Sequence, residues 1–392
     1  MARMKIPLMA MYLIAMWWIV IKSDVILVPD ENDGVLWNAT FQLDSSYDAY
    51  NQPRIYHIAS PSKNIYASVP AIIHFHGGTG CGSSAATQTD IVAKAAPLGF
   101  LTVFGEGFMI PNSTGRKWSG GSCCGSCATN STDSCYIDDV RYVSGVIQGL
   151  LDEQYISDDS PIFVSGHSNG GIMSYRLWCE LGDKISGLAI AEGMMGFYDS
   201  DECLVECYND YKLCYSNATE NCRQENWSFK LPEFFSCSKE NVIPKSVLTF
   251  QGSKDLHVLI DGGECTDERR CKGKMSMVPY GYQIQFNALL NGCDVELPAL
   301  TTYHNESSIE QNDISECFAF QGCTKNTTYC IQYNGGHVWP GQQFEECDKN
   351  SDAYKVSTCA YHQWFVGPTV TSLHATELLV DFFRDLTDRK DF

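Results

Sequence analysis

The chain has 392 residues, 44% of them hydrophobic and 19% charged, which is enough apolar material for one large core and excludes a disordered polymer. Its formal net charge is −20, so a phosphate backbone would be repelled, and nucleic acid is not an expected partner. Nineteen cysteines would be hazardous in a reducing cytosol and suit an oxidising compartment; because the count is odd, at least one thiol is expected to stay unpaired.

The first residues carry Arg3 and Lys5, then an apolar stretch from Ile6 to Ile21, then Lys22-Ser23-Asp24. This pattern predicts a secretory signal peptide over residues 1–23, too short for a comfortable membrane span, with an uncleaved signal anchor as the alternative. Removing its three basic residues from the 27 leaves 24 against 47 acidic ones, a net −23. Seven Asn-x-Ser/Thr sites, at Asn38, Asn112, Asn130, Asn217, Asn226, Asn305 and Asn326, also point to passage through a secretory lumen. The expected mature chain, residues 24–392, is a single exported domain without stable membrane insertion.

Six apolar runs follow in order: Val69 to Phe75, Phe100 to Phe104, Ile162 to Ser165, Ile185 to Ala191, Ser246 to Phe250 and Thr327 to Tyr333. Helical stretches alternate with them, which predicts an α/β fold with a mostly parallel central sheet covered on both faces. One predicted helix carries Val140, Val143, Ile147, Leu150 and Leu151 behind Asp138 and Asp139, whose charges complement a helix N-terminus. Another, near the end, repeats Leu379, Phe382, Phe383 and Leu386 and should seal the last face of the sheet. Two cysteine-rich segments interrupt the alternation, Trp118 to Cys135 and Phe197 to Cys237. Disulfides are the expected use of both, since neither holds a histidine and four-cysteine metal sites are uncommon in exported chains. The second, an insertion at about 197–245, is expected to form a cap over a pocket, with a crosslinked surface excrescence as the alternative.

The third run ends in Gly166-His167-Ser168-Asn169-Gly170 and leads into a helical segment. A strand, a sharp turn with glycines on both sides of a serine, and a helix make a nucleophile elbow. A serine hydroxyl needs a base within hydrogen-bond reach and a carboxylate to orient that base, and in such sheets they follow in the order serine, acid, histidine. After the fifth run comes Gln251-Gly252-Ser253-Lys254-Asp255, which makes Asp255 the candidate acid and leaves Asp261, beside Gly262-Gly263, as its competitor. After the last run, Asn334-Gly335-Gly336-His337 makes His337 the candidate base. The other eight histidines lack that setting or lie in the strand and the elbow themselves. Two N–H donors for an oxyanion are expected from Asn169, which follows the serine, and from Gly78 in His76-Gly77-Gly78-Thr79-Gly80, with Thr79 as the second choice. Trp339 either lines an aromatic or sugar subsite or packs in the core. No metal and no cofactor is expected.

Taken together, Trp118 with Cys123-Cys124-Gly125, Asp138-Asp139-Val140, the elbow GHSNGGIMSYRL, QGSKDLHVLIDGG and GGHVWPG resemble the esterases of the polyhydroxybutyrate depolymerase and feruloyl esterase type, a branch of carbohydrate esterase family 1. The resemblance covers about residues 60 to 345. It implies an α/β-hydrolase fold, a triad of Ser168, Asp255 and His337, a loop oxyanion donor at Gly78, and export. It places Asp261 on a structural Asp-Gly-Gly turn. Gln251 stands where such enzymes commonly have histidine, and Leu256 and Leu259 stand where they have prolines. The implied activity is a secreted serine carboxylesterase acting through an acyl-enzyme on feruloyl or acetyl polysaccharide esters, or on polyhydroxyalkanoate-type esters. The alternatives are a serine peptidase on the same fold and a noncatalytic adhesion or binding protein.

Overall fold

The computed structural model describes residues 26–29, 35–42, 53–60, 69–109, 115–120, 137–194, 197–198, 229–230, 242–264, 276–277, 280–301, 314–342, 344 and 355–390. The predicted signal peptide, the cysteines from Cys123 to Cys135 and nearly all of the predicted cap lie outside them.

Eleven strands form the main sheet: β1 (Ile26–Pro29), β2 (Val35–Gln42), β3 (Pro53–Ala59), β4 (Ala71–Phe75), β5 (Leu101–Gly105), β6 (Ile162–His167), β7 (Gly187–Ala191), β8 (Ser246–Gly252), β9 (Asp294–Thr301), β10 (Ile314–Gln321) and β11 (Thr327–Tyr333). Their spatial order is β1-β2-β3-β5-β4-β6-β7-β8-β11-β10-β9. The six expected runs are the six central strands. They pair in parallel from β5 through β4, β6, β7 and β8 to β11. Antiparallel strands extend both edges, β1 to β3 at one side and the β9–β10 pair at the other. These edge strands escaped the sequence reading because they are not continuous apolar runs. In β10, for example, Ile314 is exposed, Cys317 is buried and Gln321 is exposed.

The central strands are buried on both faces and distribute their side chains by the period of two. Ala71, Ile73 and Phe75 of β4 join one core cluster, with Ile162 and Val164 of β6. Ile72 and Phe163 join the other. The first layer is covered by α3 (Asp139–Asp152) and α4 (Asn169–Glu180), with Phe286 and Leu290 of α5 (Tyr280–Leu290). The second is covered by α1 (Gly82–Thr89), α2 (Ile91–Ala95) and α7 (Ala375–Arg389). On α7, Leu379, Phe383 and Leu386 are buried, and the Phe383 ring stacks on Phe163 at 4.4 Å. Each such buried side chain contributes roughly 1.5–3 kcal/mol. A further helix, α6 (Val356–Val366), precedes α7 in the chain. Among the described residues, no helix is long and apolar enough to cross a membrane.

The helix expected behind Asp138 and Asp139 is α3, but the two aspartates divide the work differently from the expectation. Asp138 caps it by accepting the Arg141 N–H at 2.9 Å. Asp139 is fully buried, pairs with Arg54 of β3 and accepts the Ser119 N–H at 2.6 Å. Arg54 also lies over the Tyr142 ring, 3.7 Å from its centre.

Described disulfides join Cys293 to Cys323 and Cys317 to Cys330, the latter directly across β10 and β11. Cys179 is also disulfide-bonded, and Cys81 carries a free thiol. Within the cysteine-rich insertion, Phe197-Tyr198 at its start pairs antiparallel with Phe229-Lys230.

Removing Arg54 would leave Asp139 buried without its charge partner. Arg54→Leu is expected to lower stability by about 3–5 kcal/mol, read as a fall in the urea midpoint; an unchanged midpoint would show that the pair contributes nothing.

Candidate active site

Ser168 sits between β6 and α4 with φ 53° and ψ −120°, a backbone conformation rare for a non-glycine residue. Two backbone bonds hold it there: its N–H donates to the Ala191 carbonyl at 2.9 Å, and its carbonyl accepts the Ile172 N–H at 3.0 Å. The turn is tight enough that a Cβ on Gly170 would stand 2.1 Å from the Phe75 carbonyl oxygen. Glycine is therefore required by contact with the neighbouring strand.

The acid and base loops lock to each other through backbone. Lys254 N–H donates to Gly335 O at 2.7 Å and Ser253 N–H to Gln332 O at 2.9 Å. A Cβ on Gly252 would meet Gly335 O at 2.5 Å. On the far side of the base loop, Gly336 N–H donates to Pro368 O and His337 N–H to Val366 O, at the end of α6.

The structure brings Ser168, His337 and Asp255 together. His337 Nε2 lies 2.7 Å from Ser168 Oγ, and Nδ1 lies 2.8 Å from Asp255 Oδ2. Because a carboxylate only accepts, the second contact places the ring proton on Nδ1 and turns the Nε2 lone pair to the serine hydroxyl. Asp255 also accepts the His257 and Val258 N–H groups on Oδ1, each at 2.7 Å, and Gln251 Nε2 on Oδ2 at 3.2 Å. Gln251 is thus a direct support of the acid. Asp255 is buried, whereas Asp261 is exposed on the following turn.

Sequence reasoning missed three neighbours. His167 and His257 flank the His337 ring, with centroids 5.0 and 4.7 Å away. Glu192, directly after β7, is fully buried, with Oε2 3.0 Å from His167 Nε2 and 3.4 Å from His337 Nδ1. Burial, and then the charge of Asp255, hold the Glu192 carboxyl well above the usual carboxylate range. Burial likewise holds His167 well below the usual imidazole range. An acidic residue between a strand end and Gly193 was the available signal. Ligand atoms of His167, Glu192 and His337 lie within 4.8 Å of one another, a spread a cation could use, although Nδ1 of His337 is already turned to Asp255.

Around the elbow, the Asn169 side chain clasps Trp118, accepting its N–H at 2.7 Å and donating to its carbonyl at 2.9 Å. The Asn169 backbone N–H, first in its helix, has no preceding turn to donate to. Trp118 Nε1 in turn donates to His76 O at 3.0 Å, tying the glycine loop to the elbow. His76 is pushed down to about 4, chiefly by burial, and its ring bridges Gly77 O and the Gly107 N–H. Thr79 N–H is engaged by Arg116 O at 2.7 Å, which removes the second-choice donor. A Cβ built on Gly78 would lie 3.8 Å from that of Asn169, so the two candidate donors are neighbours.

Trp339 is placed as core rather than as a subsite. It is 3% exposed, donates Nε1–H to Thr376 Oγ1 at 2.9 Å and sets its ring edge-on to His74 at 5.2 Å. The indole belongs to the core cluster that also holds Ile72, Phe104 and Leu373.

The sheet order, the elbow and the two loops on the strand ends define an α/β-hydrolase fold. No protein-family model and no curated protein matches the chain. Solved structures resemble it at low identity. An acetyl xylan esterase from Aspergillus awamori is 14% identical, with 83% of this chain and 98% of that one covered and a TM-score of 0.45. An S-formylglutathione hydrolase from Agrobacterium tumefaciens is 15% identical, covering 59% and 80%, with a TM-score of 0.40. The fluorophosphonate-binding serine hydrolase F of Staphylococcus aureus is 13% identical, covering 57% and 80%, with a TM-score of 0.37. At these scores the likeness assigns no activity.

Gly170→Ala would drive a methyl into the Phe75 carbonyl. Its expected cost is about 3 kcal/mol or more, measured by denaturant unfolding; a variant as stable as the parent would mean that the elbow does not press on β4.

Proposed function

We propose that this chain is a serine carboxylic-ester hydrolase working through an acyl-enzyme. The observation that carries this reading is the continuous hydrogen-bond chain Ser168–His337–Asp255, at 2.7 and 2.8 Å. Ser168 Oγ attacks the ester carbonyl while His337 Nε2 takes its proton, and Asp255 steadies the imidazolium. The oxyanion forms against the N–H groups of Asn169 and Gly78. Collapse breaks the ester C–O bond, His337 returns the proton to the departing alcohol, and water repeats the sequence to free the acid.

Aromatic and acetyl esters on polysaccharides, or hydroxyalkanoate polyesters, are the substrates that the sequence motifs favour. The cysteines and the Asn-x-Ser/Thr sequons support export; Asn326, in one of those sequons, is exposed on the turn before β11. A serine peptidase would use the same three residues, so the rate on an amide against the matching ester separates the two.

Ser168→Ala should lower turnover of a soluble aryl ester by roughly four to six orders of magnitude and abolish labelling by a fluorophosphonate. Near-normal hydrolysis by that variant would sink the assignment. Gln251→Leu removes one donor from Asp255 and should reduce kcat about ten- to a hundredfold with KM little changed, in line with the roughly 1.5–3 kcal/mol of a hydrogen bond to a charged group. A change confined to KM would count against a role through the acid.

A further inference from the structure

Glu192 sits where a carboxyl is costly three times over. Its side chain is fully buried, its φ of 52° is unusual for a non-glycine residue, and Oε1 has no hydrogen-bond partner among the described residues. What it touches is two imidazoles. Oε2 lies 3.0 Å from His167 Nε2 and 3.4 Å from His337 Nδ1, the same nitrogen that Asp255 Oδ2 meets at 2.8 Å. Its place is fixed by the elbow's own scaffold: Glu192 N–H donates to Phe250 O, and the Ala191 carbonyl just before it holds Ser168 N–H, both at 2.9 Å.

We propose that Glu192 is a positioning residue, a second carboxyl acceptor on His337 Nδ1, so that the base is oriented by two acids from two different strand ends. This inference rests on reading Ser168, His337 and Asp255 as an ester-hydrolysing triad. With Asp255 in place, the aspartate takes the shorter bond, and Glu192, kept protonated by burial and by the neighbouring charge, shares its proton with His167. Without the Asp255 charge that penalty falls. Glu192 can then release its proton by way of His167, whose side chain is 20% exposed, and close the remaining few tenths of an ångström to Nδ1. The imidazole keeps its tautomer, with the proton on Nδ1 and the lone pair on Nε2.

The test is a mutant cycle on the full chain with an aryl ester. Loss of the acid from a triad ordinarily lowers kcat by about 10,000-fold. Here Asp255→Ala is expected to lower it by only about a hundredfold, with KM little changed. Asp255→Asn should be worse, near 10,000-fold, because its amide donates to Nδ1 and imposes the wrong tautomer. That order, alanine above asparagine, is one that a purely structural role for Glu192 would not produce. Adding Glu192→Gln to Asp255→Ala should remove the remaining hundredfold, at least ten times more than the same change costs in the parent.

An Asp255→Ala variant already down about 10,000-fold, to which Glu192→Gln adds no more than it does in the parent, overturns the proposal. If Asp255→Ala does not fold, the downfield Nδ1–H proton resonance of His337 decides instead. It shifts on Glu192→Gln when two acids share that proton, and its staying in place overturns the proposal. A parent that neither labels with fluorophosphonate nor hydrolyses esters overturns both this inference and the ester-hydrolase reading. An active parent without coupling overturns this one alone.

Discussion

The contact on which the site depends is backbone against backbone, the first turn of α4 resting on the end of β4. Gly170 lies close enough to the Phe75 carbonyl that no side chain fits between them, and this closeness bends the chain through the strained Ser168 conformation. Because β4 also leads directly into the His76-Gly77-Gly78 loop, the same contact sets the serine beside the candidate oxyanion donors. Trp118 braces the junction from outside, gripped by the Asn169 side chain and donating to His76 O. The strain at one residue is thus distributed over ordinary hydrogen bonds around it.

A second layer of order comes from charges withdrawn from water. Asp255 collects donors from His337, Gln251 and two backbone amides, a set of partners that fits an acceptor-only group. Glu192, a short distance away, meets two imidazoles, and its other oxygen has no partner among the described residues. Two carboxyls so close together cannot cheaply carry charge at once, and burial, with the Asp255 charge beside it, holds the Glu192 carboxyl well above the usual carboxylate range. Farther out, Arg54 pairs with Asp139, Asp139 holds Ser119 N–H, and the Ser119 carbonyl accepts from Arg176 of α4. This buried chain connects β3, the Trp118 segment and the elbow helix across the core.

Much of the frame was legible because its signals are local. A parallel strand buried on both faces is a continuous apolar run, and all six appeared as such; the register of the elbow is written in its glycines. Edge strands were not legible, since β10 alternates exposed and buried positions and carries its stabilising disulfide across to β11. Asp139 was misjudged for a related reason. Beside Asp138 it looks like one more acidic residue at a helix start, and only Arg54, 85 residues earlier in the chain, makes it a buried ion. Trp339 stayed ambiguous because the sequence does not tell a cavity wall from a core.

By itself, the sequence determined the strand ends on which Ser168, Asp255 and His337 stand, because glycine turns after apolar runs are short-range features of the chain. Position along the chain left Asp261 as a competitor that only the resemblance set aside, and Thr79 as second choice to Gly78, and it gave no notice of Glu192. Those decisions belong to the tertiary structure. Whether a carboxyl is buried beside an imidazole, and whether an amide is already engaged by a distant carbonyl such as that of Arg116, depends on elements that meet only after the sheet has closed.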